Sequence, residues 1–211
     1  MNKKVIAILF SFLVMFSLTS CTGSKGNTVT NSQSSAKVEK KADTAAEEKN
    51  TALENKAQQG YDMLFQKKYK EAIALEDAVI KEDPGFYKAY YIKGIIQCYS
   101  GNYGDGSKNI DKALSLKPDD YMARFNKALS LEINKQYSEA IMWYNKALEI
   151  KKGEWSYYGI ASIYGRKGDV SNTVKYLKLA IAINPNIKKE AENEPDFNPV
   201  KNSQEFINTI K

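Results

Sequence analysis

Histidine is absent from this 211-residue chain. Because histidine is the usual general base and the commonest metal ligand in proteins, its absence removes the side chain on which many catalytic and metal sites depend. The chain also lacks a glycine-rich phosphate loop, a serine elbow motif and any metal-ligand spacing. We therefore predict that it is not an enzyme and uses no cofactor or metal ion.

Cysteine and arginine are nearly absent as well. The cysteines are Cys21 and Cys98, and the arginines are Arg124 and Arg166. Because Cys21 is assigned below to a lipid, no cysteine pair is left for an internal disulfide framework. The formal net charge of +6 comes mainly from lysine and includes no arginine-rich cluster, so the chain lacks the pattern of a nucleic-acid-binding protein. We expect no nucleic-acid partner.

The N-terminal stretch has the features of a secretory leader. A basic start at residues 1–4 precedes an apolar run over residues 5–18 that is interrupted only by two serines. A helix needs roughly 20 apolar residues to cross a bilayer, so a permanent transmembrane anchor is the weaker interpretation. The pattern predicts a signal peptide over residues 1–20.

The residues that end this leader resemble a bacterial lipobox. Leu18, Thr19 and Ser20 supply the aliphatic and small residues that precede the cysteine of that motif, here Cys21. The resemblance implies that Cys21 carries acyl chains such as palmitate and becomes the first residue of the mature protein. It also implies anchoring on the extracytoplasmic face of the cell membrane, or on an outer membrane if the organism has one. The alternative is an ordinary secreted protein with a chance cysteine.

Residues 21–43 contain hardly any apolar side chains, so they are predicted to form a flexible, lipidated tether. Thr44 and Glu47 then have the spacing of a capping box, which predicts the start of a helix at Thr44. We expect the folded repeat domain over residues 44–186.

Similar residues recur at a spacing of 34 or 33 in the rest of the chain. Pro84, Pro118 and Pro185 follow this period, and Lys152 occupies the place of a missing proline. Four further columns have the same spacing: Gly60, Gly94, Ala128 and Ala161; Tyr69, Tyr103, Tyr137 and Val170; Ala72, Gly106, Ala140 and Thr173; Val79, Ala113, Ala147 and Ala180. Within one unit, apolar residues recur every three or four positions in two stretches, which predicts two amphipathic helices. Such a period indicates stacked units that bury one continuous core.

These columns, with YSEAI at residues 137–141 and NKAL at residues 145–148, resemble the tetratricopeptide repeat (TPR). The resemblance covers residues 53–185. It implies an all-α fold, a right-handed solenoid of about four helix pairs with a C-terminal capping helix. The expected repeats are residues 53–86, 87–120, 121–153 and 154–186. Glu76, Gly106 and Lys152 depart from the aromatic, alanine and proline of the family pattern.

Residues 187–211 are predicted to cover the apolar flank of the fourth repeat, as tails of bacterial TPR proteins often do. Asn202 and Glu205 are placed for the start of a short helix in this segment. Four acidic residues precede that helix: Glu190, Glu192, Glu194 and Asp196. Because they lack the spacing and the glycine of a calcium-binding loop, they predict a solvated acidic connector.

In the TPR family, the first helix of each pair lines a concave groove that holds a peptide or helix of the partner. Matching positions in this chain gives the groove residues Tyr61, Leu64, Tyr91, Ile95, Met122, Phe125, Leu129, Trp155 and Tyr158. Aromatic and aliphatic side chains are effective anchors because they offer a large contact area at low entropic cost. The alternative for each of these residues is packing between helices.

The resemblance therefore implies a membrane-anchored scaffold or assembly factor that binds another protein in the cell envelope. The sequence does not identify the partner. A second class of function stays open, because tyrosine and tryptophan side chains in the same groove would also bind an envelope glycan or polymer.

Overall fold

The computed structural model describes residues 33–211, with side chains from residue 46 onward. This part of the chain is all-helical, with 79% helix and no strand, and its consecutive helices pack in pairs. The predicted all-α class of stacked helix pairs is confirmed. No helix within the described range is both long enough and apolar enough to cross a bilayer.

The helix pairs coincide with the repeat units of the sequence. The pairs are α1 (Gln33–Phe65) with α2 (Tyr69–Glu82), α3 (Tyr87–Tyr99) with α4 (Tyr103–Leu116), α5 (Tyr121–Ile133) with α6 (Tyr137–Ile150), and α7 (Glu154–Arg166) with α8 (Val170–Ile183). The C-terminal segment contains α9 (Ile187–Glu192), a 3-10 turn (Pro195–Phe197) and α10 (Gln204–Ile210).

The first helix begins well before the predicted start at Thr44. It runs from Gln33, so the capping-box interpretation of Thr44 is wrong, and part of the predicted tether is helical. Residues 33–43 include three lysines, two alanines and one glutamate, which are strong helix formers. Because residues 53–65 already form packed helix, extension toward the N-terminus avoids the cost of nucleation.

The two helices of every pair are joined by the same turn. Lys67, Gly101, Lys135 and Gly168 occupy equivalent places and have φ values of 58°, 91°, 61° and 73°. A residue in the left-handed region ends a helix by redirecting the chain. The following backbone N–H then donates to the carbonyl five residues earlier, at 2.8 to 3.1 Å in the four turns. This shared geometry fixes how each second helix folds back on its first.

Small residues allow the two helices of a pair to approach closely. A Cβ atom on Gly94 would lie 2.6 Å from the Gly106 carbonyl oxygen and 2.6 Å from Ile110 Cγ1. A Cβ atom on Gly106 would lie 2.5 Å from Cys98 Sγ. Glycine therefore replaces the alanine of the TPR pattern at Gly106 because Cys98 and the Gly94 backbone fill the space of a side chain.

The second departure, Glu76, places a carboxyl group in the core. The other three pairs have buried residues without charge at this place: Ile110, Tyr144 and Leu177. Glu76 is fully buried, and neither of its carboxyl oxygens has a hydrogen-bond partner among the described residues. Gly60 leaves room for it, since a Cβ atom there would collide with Glu76 Oε1. Burial, with a smaller contribution from Asp77, raises the pKa of Glu76 from 4.5 to about 9.

We predict that Glu76 makes the fold less stable as pH rises. The folded pKa lies above the unfolded value, so the stability contributed by the protonated carboxyl is full below pH 4.5 and is lost as pH rises toward about 9. Glu76→Leu removes the buried carboxyl group and, with it, this pH-dependent loss of stability. The free energy of unfolding should therefore increase by about 1–3 kcal/mol at neutral to mildly alkaline pH. Urea unfolding on both sides of neutrality measures the effect.

Glu76→Gln is the matched control, because it keeps a buried polar group but does not titrate. Its stability should show a weaker dependence on pH than the wild type, with a smaller gain than Glu76→Leu. The account of this site fails if wild-type stability, relative to Glu76→Gln, does not decrease between mildly acidic and mildly alkaline pH.

Candidate protein-binding surface

The structure places most of the predicted groove residues in the core. The half-buried residue is Met122. The other eight are at most 8% exposed: Tyr61, Leu64, Tyr91, Ile95, Phe125, Leu129, Trp155 and Tyr158. Each first helix packs against its own second helix and against neighbouring pairs, so these columns fill the interior. For these eight residues the structure favours the alternative, packing between helices, and a partner would meet mainly other side chains.

The buried rings contact one another rather than solvent. The ring centroids of Phe125 and Tyr144 lie 5.6 Å apart. Tyr158 lies 5.5 Å from Trp155 and 5.6 Å from Phe197, in edge-to-face arrangements. Such aromatic pairs contribute about 0.5–1.5 kcal/mol each beyond the burial of their area. Their main effect in this chain is to hold the stack together.

One apolar column of the first helices stays partly exposed. Phe65, Tyr99 and Ile133 follow the repeat period and are half-buried. Equivalent places on successive stacked helices share one side, so these side chains form a row, called here the first-helix stripe. Arg166 occupies the same column in the fourth pair and is exposed. The prediction missed this column, although the repeat period marks it directly after Leu64 and its equivalents.

A second partly exposed column lies eleven positions earlier on the same helices, about three helical turns from the stripe. Glu54, Lys88 and Met122 also follow the repeat period and are half-buried. Lys88 Nζ donates to Glu54 Oε1 at 2.5 Å, which links consecutive first helices. The exposed part of the first helices is therefore apolar along the stripe and charged at one end of this second column.

A buried polar network connects the third and fourth pairs to the C-terminal segment. Tyr144 donates to Glu132 Oε2 at 2.7 Å, and Ser162 Oγ lies 3.2 Å from Glu132 Oε1. The Ser162 hydroxyl is also hydrogen-bonded to Asp196, whose other oxygen accepts from Arg166 at 2.6 Å. Three parts of the chain distant in sequence thus share one set of polar contacts.

Two of the four acidic residues are not solvated as predicted. Glu194 is 4% exposed and Asp196 is 5% exposed. The solvated-connector prediction is wrong for this pair, because the 3-10 turn packs against α7 and carries Asp196 into the network. The spacing of acidic residues in the sequence contains no signal for that burial.

The C-terminal segment covers the fourth pair mainly through aromatic residues. The Phe197 ring lies 5.3 Å from Phe206, and it occupies the space that a Cβ atom on Gly165 would need, at 2.6 Å from Phe197 Cδ1. α10 begins after Ser203, whose hydroxyl accepts from the Phe206 N–H at 3.3 Å. Ser203 is therefore the N-cap, directly after the predicted Asn202.

The structure describes Cys98 but not Cys21. Cys21 and the predicted signal peptide lie outside the described residues, so acylation of Cys21 stays a prediction. Cys98 is buried as a free thiol, and burial raises the pKa of this thiol to about 11 against an opposing effect of Lys127. A buried thiol with a raised pKa is unreactive, so Cys98 is a core residue.

Two protein-family models, both described as tetratricopeptide repeat, match the sequence of this chain over residues 91–154 and 156–187. No curated protein matches it. These matches fall on α3 to α8, the helices that build the second, third and fourth pairs.

Solved structures of three proteins are similar to this chain. PilW, a widely conserved type IV pilus biogenesis factor, is 20% identical, with a TM-score of 0.59 over 67% of this chain and 66% of PilW. PilF of Pseudomonas aeruginosa is 15% identical, with a TM-score of 0.60 over 71% of this chain and 67% of PilF. TTC0263, a thermophilic TPR protein of Thermus thermophilus, is 15% identical, with a TM-score of 0.62 over 75% of this chain and 86% of that protein. The match thus spans just under two thirds of PilW, and at these identities the likeness shows the fold alone.

We predict that Phe125 and Met122 differ sharply in their effect on stability. Phe125→Ala removes a ring that is 2% exposed and should lower the free energy of unfolding by about 3–5 kcal/mol. Met122→Ala, on the same helix but half-buried, should lower it by less than about 1 kcal/mol. Chemical unfolding followed by circular dichroism measures both variants. Equal small losses would mean that Phe125 is an accessible surface residue, as the sequence had suggested.

Proposed function

We propose that this chain, a tetratricopeptide repeat protein, is a membrane-anchored scaffold that binds another protein in the cell envelope. The observation that carries the proposal is the first-helix stripe of Phe65, Tyr99 and Ile133. A row of partly exposed apolar side chains on successive first helices is suited to an extended peptide or an amphipathic helix of a partner. Arg166, at the end of the row, is paired with Asp196, so the apolar row ends at a polar contact.

The role in assembly is proposed from two further considerations. PilW is described as a pilus biogenesis factor, and its helices are arranged like those of this chain. The lipobox-like residues before Cys21 would place this chain at a membrane, where envelope complexes are assembled. Both considerations support a scaffold or assembly factor, and neither identifies the partner.

An envelope glycan is the less favoured ligand. Stacking on a sugar requires an accessible ring face, whereas Trp155 is 7% exposed and Tyr158 is 1% exposed. The ring of Tyr99 is half-buried, and its hydroxyl has no hydrogen-bond partner among the described residues. The surface therefore offers apolar edges rather than the open aromatic platform that glycan binding would use.

Site-specific photocrosslinking in intact cells tests the proposed binding surface. A photoreactive amino acid replaces Ile133 in the stripe or, as the control, Met142 on α6, which is 47% exposed. We expect one protein adduct of defined mass from position 133, at least about tenfold more abundant than from position 142, because interface anchors lie in desolvated contacts. Equal adducts at both positions, or adducts with glycan only, would contradict the proposal.

The anchor is tested separately by Cys21→Ser. Because the proposed acyl chains attach to this thiol, the variant should lose metabolic palmitate labelling. It should also leave the membrane fraction or stay uncleaved. Immunoblotting of the fractions measures its location, and Cys98→Ser serves as the control with labelling unchanged. Equal labelling of Cys21→Ser and wild type would remove the lipoprotein assignment.

A further inference from the structure

The C-terminal segment occupies the place of a fifth helix pair. α9 begins at Ile187, one repeat step after Glu154, where α7 begins, and this step equals the one from Tyr121, where α5 begins, to Glu154. α10 begins at Gln204, one full repeat period after Val170, where α8 begins. The segment is therefore in phase with the repeats, but its first helix breaks off and gives way to the 3-10 turn Pro195–Phe197.

Two adjacent residues of that turn make the main polar and aromatic contacts with α7. Asp196 Oδ1 accepts from Arg166 at 2.6 Å, and its other oxygen is hydrogen-bonded to the Ser162 hydroxyl. Phe197 fills the space beside Gly165 and packs edge-on against Tyr158, with 5.6 Å between ring centroids. We call Tyr158, Ser162, Gly165 and Arg166 the terminal site. In this structure it contacts the carboxylate of Asp196 and the ring of Phe197.

These contacts differ from those of a simple cap. A terminal unit of a solenoid needs only an apolar inner face and a polar outer face. Here Asp196 is 5% exposed and paired with the partly exposed Arg166, and the cost of removing the carboxylate from water offsets much of the stability that such a pair contributes. What a charge-assisted pair supplies is selectivity for a carboxylate in a fixed position.

The terminal site also continues the first-helix stripe. Arg166 occupies the place on α7 that Ile133 occupies on α5 and Tyr99 on α3. A partner segment that runs along the stripe therefore reaches Arg166 at its end. That guanidinium is already paired with the chain's own Asp196.

We propose that the terminal site is a peptide-binding site held by the chain's own Asp196 and Phe197 as an intramolecular ligand. A partner segment with a carboxylate followed by an aromatic residue displaces them. The inference rests on the proposed protein-binding function and adds the chemistry of the partner. Because the tethered segment competes at an effective concentration in the millimolar range, a partner gains the site only when it also engages the stripe.

Peptide binding to the full chain tests the exchange. The probe is a fluorescent peptide with the sequence of residues 192–200. Its affinity is compared for three proteins: the wild-type chain, Phe197→Ala, and the double variant Phe197→Ala with Arg166→Gln. Phe197→Ala weakens the intramolecular ligand, so it should bind the peptide at least about tenfold more tightly than the wild type. Adding Arg166→Gln should reverse that gain, whereas adding Lys178→Gln, at an exposed position on α8, should leave it unchanged.

A probe with asparagine in place of its aspartate should bind Phe197→Ala at least about tenfold more weakly, since the carboxylate pairs with Arg166. Equal binding to wild type and Phe197→Ala overturns the proposal, as does absence of binding to a folded Phe197→Ala. Dimerisation of Phe197→Ala through exchanged C-terminal segments also overturns it, because the occupant is then a second copy. If these tests fail while Ile133 still crosslinks a protein, the proposed function stands and this inference falls.

Hydrogen exchange of the wild-type chain decides the case in which Phe197→Ala does not fold. An exchangeable ligand must leave its site without unfolding of the stack. The hydrogen-bonded amides of Phe197, Asn198, Val200 and Ser203 should therefore exchange at least about tenfold faster than those of α7 and α8. Equal exchange rates in the two regions would show that the segment opens only with the whole domain, and the proposal would be rejected.

Discussion

The close approach of the two helices within each pair is the constraint on which the rest of the structure depends. At Gly94 and Gly106 the backbones are so near that a side chain on either residue would overlap the other helix. Helices packed at this distance enclose the side chains between them, so the aromatic columns of α3, α5 and α7 become core. The accessible residues are those just beyond the buried columns, at Phe65, Tyr99 and Ile133.

The C-terminal segment also packs against the preceding helix pair, but through different contacts. Successive pairs are joined by apolar columns and by polar contacts such as that of Ser162 with Glu132. The junction of the fourth pair with the C-terminal segment combines Phe197 with the polar contacts of Asp196 and Arg166. The network reaches back to Glu132 and Tyr144 in the third pair. The end of the stack therefore combines apolar packing with an ion pair.

Much of the fold could be predicted from the sequence because the repeat period constrains helix number, length and turn position together. The period also located Gly106 and Glu76 as departures, although only the structure explains Gly106 by its contact with Cys98. The binding surface was harder to predict. Tyr158 and Ile133 are both apolar first-helix residues, and their different burial depends on how the next unit packs, which periodicity does not specify. The burial of Asp196 has the same origin.

The most direct test of the central claim compares two alanine substitutions at glycines of the second pair. Gly94→Ala places a Cβ atom 2.6 Å from the Gly106 carbonyl oxygen and should lower the free energy of unfolding by about 1–3 kcal/mol. Gly104→Ala, on α4, adds a Cβ atom with no described residue within 4 Å apart from its chain neighbours and its own helix backbone. It should leave the free energy of unfolding unchanged or raise it by up to about 1 kcal/mol. Chemical unfolding of both variants beside the wild type gives the result. If Gly94→Ala is as stable as Gly104→Ala, close approach of the backbones does not determine the packing of this stack.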